Sequence, residues 1–128
     1  VFKHHFGLSA VFRILPLNIP NLGNLKLPNV LKEIALLKHG LVLVVGPTGS
    51  GKTSTLAAMI QYINESTCGH IITLEDPIEF VHSSKNCLIT QREIYRDTSS
   101  FHRALYAALR ADPNVILVGE LRDLDTIR

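Results

Sequence analysis

Residues 46–53 are Gly46, Pro47, Thr48, Gly49, Ser50, Gly51, Lys52 and Thr53, which fit G-x-x-x-x-G-K-[ST] without a mismatch. The flanks have the pattern such a loop requires. Leu41, Val42, Leu43, Val44 and Val45 form a continuous apolar run. It reads as a strand buried on both faces, of the kind found in parallel sheets covered by helices. Beyond the loop, residues 54–64 are rich in Ala, Leu, Met and Ile at helical spacing. Strand, glycine loop and helix in that order point to a phosphate site. Glycines let the backbone turn its N–H groups inward around an anion, and the helix aims its positive end at the same place. Lys52 adds a mobile point charge for β- and γ-phosphates, and the Thr53 hydroxyl is the expected Mg²⁺ ligand. Ser54, at the start of the helix, completes the nucleotide-binding set.

The rest of the chain repeats the alternation of strand and helix. Upstream, residues 1–27 contain short extended pieces and turns around Pro16, Pro20 and Gly23. From Pro28 the spacing of Val30, Leu31, Ile34, Ala35 and Leu37 predicts a helix ending at Gly40. After the turn at Cys68 and Gly69, residues 70–74 read as a strand that ends abruptly in Glu75, Asp76 and Pro77. A short strand is expected at residues 87–90. A helix is expected over residues 99–110, capped by Asp97 or Thr98 and burying Phe101, Leu105 and Leu109. Asp112 and Pro113 break it, and residues 115–118 form another core strand followed by Gly119 and Glu120. The fold class is therefore α/β.

Composition narrows the partners. In 128 residues, 46% are hydrophobic and 19% charged, which suits one soluble domain with a sizeable core. Thirteen Lys and Arg against 11 Asp and Glu leave a net charge of +2, too small to imply a nucleic-acid surface. The longest apolar run is far below the ~20 residues that cross a bilayer, and no signal peptide opens the chain. Cys68 and Cys87 lack CxxC spacing and read as two quiet thiols of a reducing cytosol. The neighbouring His4 and His5 would point to opposite faces of a strand, and His39, His70, His82 and His102 have no metal-ligand spacing.

Two strand ends carry acids. In an open α/β sheet the carboxyl ends of the strands line the ligand crevice. Glu75 is the longer arm of the pair at the end of one strand and is preferred for orienting or deprotonating an attacking water; the alternative is that Glu75 and Asp76 simply form a turn before Pro77. After residues 115–118 the usual Asp is replaced by Gly119, with Glu120 one place later. Mg²⁺ would then rest mainly on Thr53, phosphates and water, with Glu120 acting on the metal or through its water shell. A single arginine is by default a solvated surface residue, yet Arg103 and Arg110 would share a helix face.

Taken together, these residues resemble the secretion-type ATPases that drive type IV pili and type II secretion. The resemblance rests on Ser9-Ala10-Val11-Phe12-Arg13-Ile14-Leu15-Pro16, the loop at 46–53, the acidic box Ile72-Thr73-Leu74-Glu75-Asp76-Pro77-Ile78-Glu79, and Arg110-Ala111-Asp112-Pro113-Asn114 continuing through Glu120 to Asp123. Within the family, Phe80-Val81-His82, Gln91-Arg92-Glu93 and Asp97-Thr98 look most like the pilus retraction branch. No four-cysteine zinc cluster, usual in extension motors, occurs between Pro77 and Asp112.

That resemblance implies a RecA-like core with a mostly parallel sheet, incomplete at the C-terminus. Residues 1–20 would be the end of a PAS-like domain and a linker, and residues 21–128 the N-terminal part of the ATPase domain. It implies ATP hydrolysis in a cytoplasmic homo-hexamer, with Mg²⁺ as cofactor, working against inner-membrane pilus machinery at its cytoplasmic face. Neither a nucleic-acid partner nor a membrane span is expected. It also implies Glu75 as catalytic carboxylate, Glu120 as the acid of the magnesium strand, and Arg13, Arg103 and Arg110 as candidates to reach a neighbour's nucleotide. The resemblance also implies a histidine box, expected beyond Arg128, so poor turnover is expected of residues 1–128 by themselves. The alternatives are a pilus extension motor, a type II or type IV secretion ATPase, or a nucleotide-binding interaction module without turnover.

Overall fold

The computed structural model describes residues 1–12, 14, 16 and 18–120. Its centre is a parallel sheet of β3 (Gly69–Glu75), β4 (Cys87–Glu93) and β5 (Val115–Val118) in the order β4-β3-β5. Helix α2 (Lys52–Ser66) lies on one face and α3 (Phe101–Leu109) on the other. Before them come a hairpin of β1 (Phe2–His4) and β2 (Gly7–Ser9) and the short helix α1 (Val30–Ala35).

Side-chain alternation explains the two layers. Along β3, Ile71 joins Ala58, Met59, Ile60 and Ile63 of α2, with Cys87, Ile89, Val115 and Leu117 beside it. Ile72 and Leu74 point the other way, to Phe101, Ala104 and Ala108 of α3, with Ile116 and Val118. Ile71 and Leu74 are fully buried, and each contributes about 1.5–3 kcal/mol by leaving water. β3 is flanked on both sides and covered on both faces, and β5 is covered on both faces, so both segments can be largely apolar.

Several expectations are corrected. Residues 41–45 form no strand: Leu41 is 83% exposed, Leu43 63% and Val45 89%. A doubly buried strand exists only where neighbours pair with it and helices cover it, and among the described residues the free edge of β5 does not take up this run. Helix α1 stops at Ala35 rather than Gly40, with Leu36 leaving helical geometry, because only Ala35 of this segment is fully buried against the core. The cap of α3 is Ser100, whose hydroxyl accepts from the N–H of Arg103 at 3.3 Å, and not Asp97 or Thr98. Leu109 is 64% exposed while Ala104 and Ala108 are buried, since small residues let α3 lie close on the sheet. Strand β4 runs on to Glu93, three residues past the expected end.

One buried polar residue ties α2 to the sheet. Asn64 is fully buried, and its Oδ1 accepts from the N–H groups of Lys85 (3.0 Å) and Cys87 (3.3 Å). Its Nδ2 donates to the Ser83 carbonyl at 2.9 Å, and its own carbonyl accepts from Asn86 N–H at 3.1 Å. The segment entering β4 is thus held against the far end of the helix.

Candidate nucleotide site

The loop at 46–51 uses its glycines where the backbone turns. Gly49 and Gly51 have φ of +80° and +89°, a region where an L side chain is strained. Gly46 lies close to Ser50: a Cβ there would meet the Ser50 hydroxyl at 2.7 Å, so that hydroxyl would have to turn away. The Lys52 ammonium donates to the carbonyls of Gly46 and Pro47, both at 2.8 Å, and closes the loop into an arch. Helix α2 opens at Lys52 with no side-chain cap and no acidic residue in its first turn. Its first N–H groups and the positive end of its dipole therefore have no protein anion to satisfy them, which favours a bound phosphate. Thr53 is exposed and Ser54 half-buried in that first turn.

Topology brings the acids to the same end. The connection from α2 to β3 is only Thr67 and Cys68, so the chain reverses and the helix lies antiparallel along the strand. Fifteen helical residues rise roughly 22 Å and seven strand residues roughly 23 Å. The start of α2 consequently sits at the end of β3 where Glu75 lies. Glu75 is half-buried on the α2 face, the face that also carries Thr73. Next to it, Gly119 N–H donates to the Leu74 carbonyl at 2.8 Å, so Glu120 follows directly beside the acidic strand end.

Gly119 also explains the departure from the usual pattern. A Cβ at this position would stand 3.2 Å from the Leu74 carbonyl oxygen and 3.4 Å from Glu75 Cα. The close approach of the two strand ends makes even a Cβ tight here, which favours glycine at 119 with the acid one residue later at Glu120.

Two partners of Glu75 escaped the sequence reading. Its Oε1 accepts from Thr73 Oγ1 at 2.6 Å and from Gln91 Nε2 at 3.2 Å. The Thr73 contact spans only two residues and the T-x-E spacing on one strand face was a usable signal. The Gln91 contact depends on the register Thr73↔Gln91 between β3 and β4, which no local pattern reveals.

The arginines are not brought to the loop within this chain. Arg103 and Arg110 are both exposed on α3, which covers the sheet face opposite α2. Arg103 Nη1 donates to Ser99 Oγ at 3.4 Å, and the Arg110 guanidinium stands 5.3 Å from the centre of the Tyr106 ring. Arg13 lies outside the described residues. Among the histidines, His82 is half-buried, its Nδ1 is buried without a hydrogen-bond partner, and burial holds its pKa below the ordinary imidazole value.

A magnesium ion fits the donor chemistry. The hydroxyl of Thr53 and the carboxylates at the two strand ends are hard oxygen ligands of the kind Mg²⁺ takes in ones and twos, the rest coming from phosphate and water.

Comparison with known proteins gives a consistent picture. The family model described as Type II/IV secretion system protein matches residues 4–128. The Type IV pilus retractation ATPase PilT of Pseudomonas aeruginosa is 54% identical over 127 residues, covering 99% of this chain and 37% of that protein. The Twitching motility protein of Neisseria gonorrhoeae is 59% identical over 121 residues, covering 94% of this chain and 32% of that protein. Among solved structures, the pilus retraction motor PilT with bound ADP superposes with a TM-score of 0.88 at 55% identity, covering 90% of this chain and 34% of that one. The chain spans about a third of the length of the relatives it matches. The α/β fold with a parallel sheet around a phosphate loop is that of these ATPases. No helix among the described residues is long and apolar enough to cross a membrane.

Proposed function

The chain belongs to the type II/IV secretion system protein family, and from that premise we propose that it is the phosphate-binding part of an ATPase that converts ATP and water to ADP and phosphate to power type IV pilus retraction. The observation that carries this reading is the convergence at one sheet end of an uncapped helix start, a glycine loop closed by Lys52, and the acids Glu75 and Glu120. Identities of 54% and 59% to a pilus retraction ATPase and a twitching motility protein, against 40% and 41% to two type II secretion proteins E, support the retraction branch over the type II secretion motors.

In this reading the loop N–H groups and Lys52 hold the β- and γ-phosphates, and Glu75 orients the attacking water and takes its proton. Thr53 and Glu120 would hold Mg²⁺. When bound, the ion neutralises charge on the phosphate oxygens. Residues 46–51 are exposed apart from the loop's own contacts, which leaves the nucleotide open to a second protomer. That supports a homo-hexamer with nucleotide between subunits, to which Arg13, Arg103 and Arg110 of a neighbour could contribute. No residue of the β1–β2 hairpin belongs to either core cluster, in keeping with residues 1–20 as the end of a preceding PAS-like domain and linker and 21–128 as part of the ATPase domain. The motor would work in the bacterial cytoplasm against inner-membrane pilus machinery.

The test is phosphate release by the complete protein carrying this chain. Lys52→Ala removes a charge from the phosphates but nothing from the core, so turnover falls by roughly 10²-fold or more while thermal unfolding is unchanged; wild-type turnover would refute the site. Glu75→Gln keeps nucleotide binding and loses most hydrolysis. Normal turnover in Glu75→Gln together with loss in Glu120→Gln would exchange the two roles.

A further inference from the structure

The carboxamide of Gln91 makes three hydrogen bonds to three different parts of the chain. One amide hydrogen goes to Glu75 Oε1 (3.2 Å), the other to the Phe80 carbonyl (2.9 Å), and its oxygen accepts from the His82 N–H (2.7 Å). Gln91 is half-buried and register-paired with Thr73, so it shares a sheet face with Thr73 and Glu75. Thr73, itself buried, donates to the same Oε1 at 2.6 Å.

We propose that Gln91 is a positioning residue for the hydrolytic reaction: it fixes the carboxylate of Glu75, and its bonds to Phe80 and His82 hold its own amide in place to do so. The inference rests on the reading of Glu75 as the catalytic carboxylate. Both neutral donors fall on Oε1, which leaves Oε2 as the oxygen offered to the water. Without them, the side chain of a glutamate at a strand end turns through several rotamers, and misplacement of a reacting atom by about 1 Å costs on the order of 10²-fold in rate.

Only a carboxamide of this length satisfies the arrangement. Two donors and one acceptor are needed at once. Glutamate at 91 would offer the His82 acceptor but no donor, and would place a like charge against Glu75. Leucine would fill the volume and bond to nothing. Lysine or arginine would pair with Glu75 as a charge and give the His82 N–H no acceptor. The role belongs to the chemistry of the side chain and not to its bulk.

The experiment uses the complete protein, with Glu75→Gln, Gln91→Leu, Gln91→Glu and the doubles that combine each Gln91 change with Glu75→Gln. Steady-state ATP hydrolysis is measured at saturating Mg²⁺, and nucleotide affinity by equilibrium binding of ADP. Gln91→Leu and Gln91→Glu are expected to lower kcat by roughly tenfold to a hundredfold with KM for ATP and ADP affinity within about twofold. Neither change should lower the residual turnover of Glu75→Gln further, because a residue that acts only through Glu75 has nothing left to position. A purely structural residue would instead lower both backgrounds by the same factor, and that outcome overturns the proposal, as does wild-type kcat in Gln91→Leu and Gln91→Glu. Where Gln91→Leu lacks a thermal unfolding transition, the near-isosteric Gln91→Glu decides. Failure of the underlying reading has a different signature: Glu75→Gln itself turns over at the wild-type rate.

Discussion

At position 119 the chain has room for a hydrogen atom and little more. The ideal Cβ would press on the Leu74 carbonyl at 3.2 Å, a backbone atom held in the ladder that cannot swing aside. Gly119→Ala is therefore expected to destabilise the protein by about 1–3 kcal/mol through overpacking, read from the urea unfolding midpoint. An unchanged midpoint would show that the two strand ends are farther apart than described. His82 offers a second test at this scale. Its Nδ1 is buried without a partner and burial lowers its pKa, so the folded protein resists the proton that the unfolded chain accepts near the ordinary value of about 6.5. In that window the unfolded state binds more protons, and stability falls as pH drops through it. His82→Gln should flatten the difference between unfolding midpoints at pH 8 and pH 5.5; an equal slope in both proteins would remove His82 as its source.

Among the elements, α2 joins its apolar packing on the sheet to a polar tie through Asn64. Asn64→Leu keeps the volume but strips the N–H groups of Lys85 and Cys87 and the Ser83 carbonyl of their partner. Each buried group left unpaired costs about 1–3 kcal/mol, so chemical denaturation should show a loss of roughly 3 kcal/mol or more. A loss below that of an ordinary surface change would mean water replaces the amide. Elements whose evidence is local were legible beforehand: β3 and β5 as apolar runs stopped by Pro77 and by Gly119, and α2 from its loop and helical spacing. The phosphate loop was legible for the same reason, since its glycines act within eight residues. The remainder depends on contacts distant in sequence. Gln91 meets Glu75 across 16 residues and only through strand register. The 41–45 run has the composition of a core strand, but composition does not supply the neighbouring strand it needs.

On the scale of the whole chain, that run is a liability. Leu41, Leu43 and Val45 are exposed, and the β5 edge of the sheet is open among the described residues; an exposed apolar run and a free edge in one chain invite pairing between molecules. This chain in isolation should self-associate as its concentration rises, and Leu43→Lys with Val45→Lys should suppress the effect in static light scattering. Concentration-independent scattering by the unaltered chain would contradict that expectation.

Helix α2 is also a rod with a fixed far end. It begins at the phosphate loop, rises roughly 22 Å, and is bolted through Asn64 to the stretch that leads into β4. An α-helix hardly compresses along its axis, so a push at Lys52 is not absorbed on the way. Any shift of the helix along its axis would be felt first at residues 83–87, the stretch that leads into the strand carrying Gln91. Fifteen helical residues thus set the spacing between the phosphate loop and the entrance to β4.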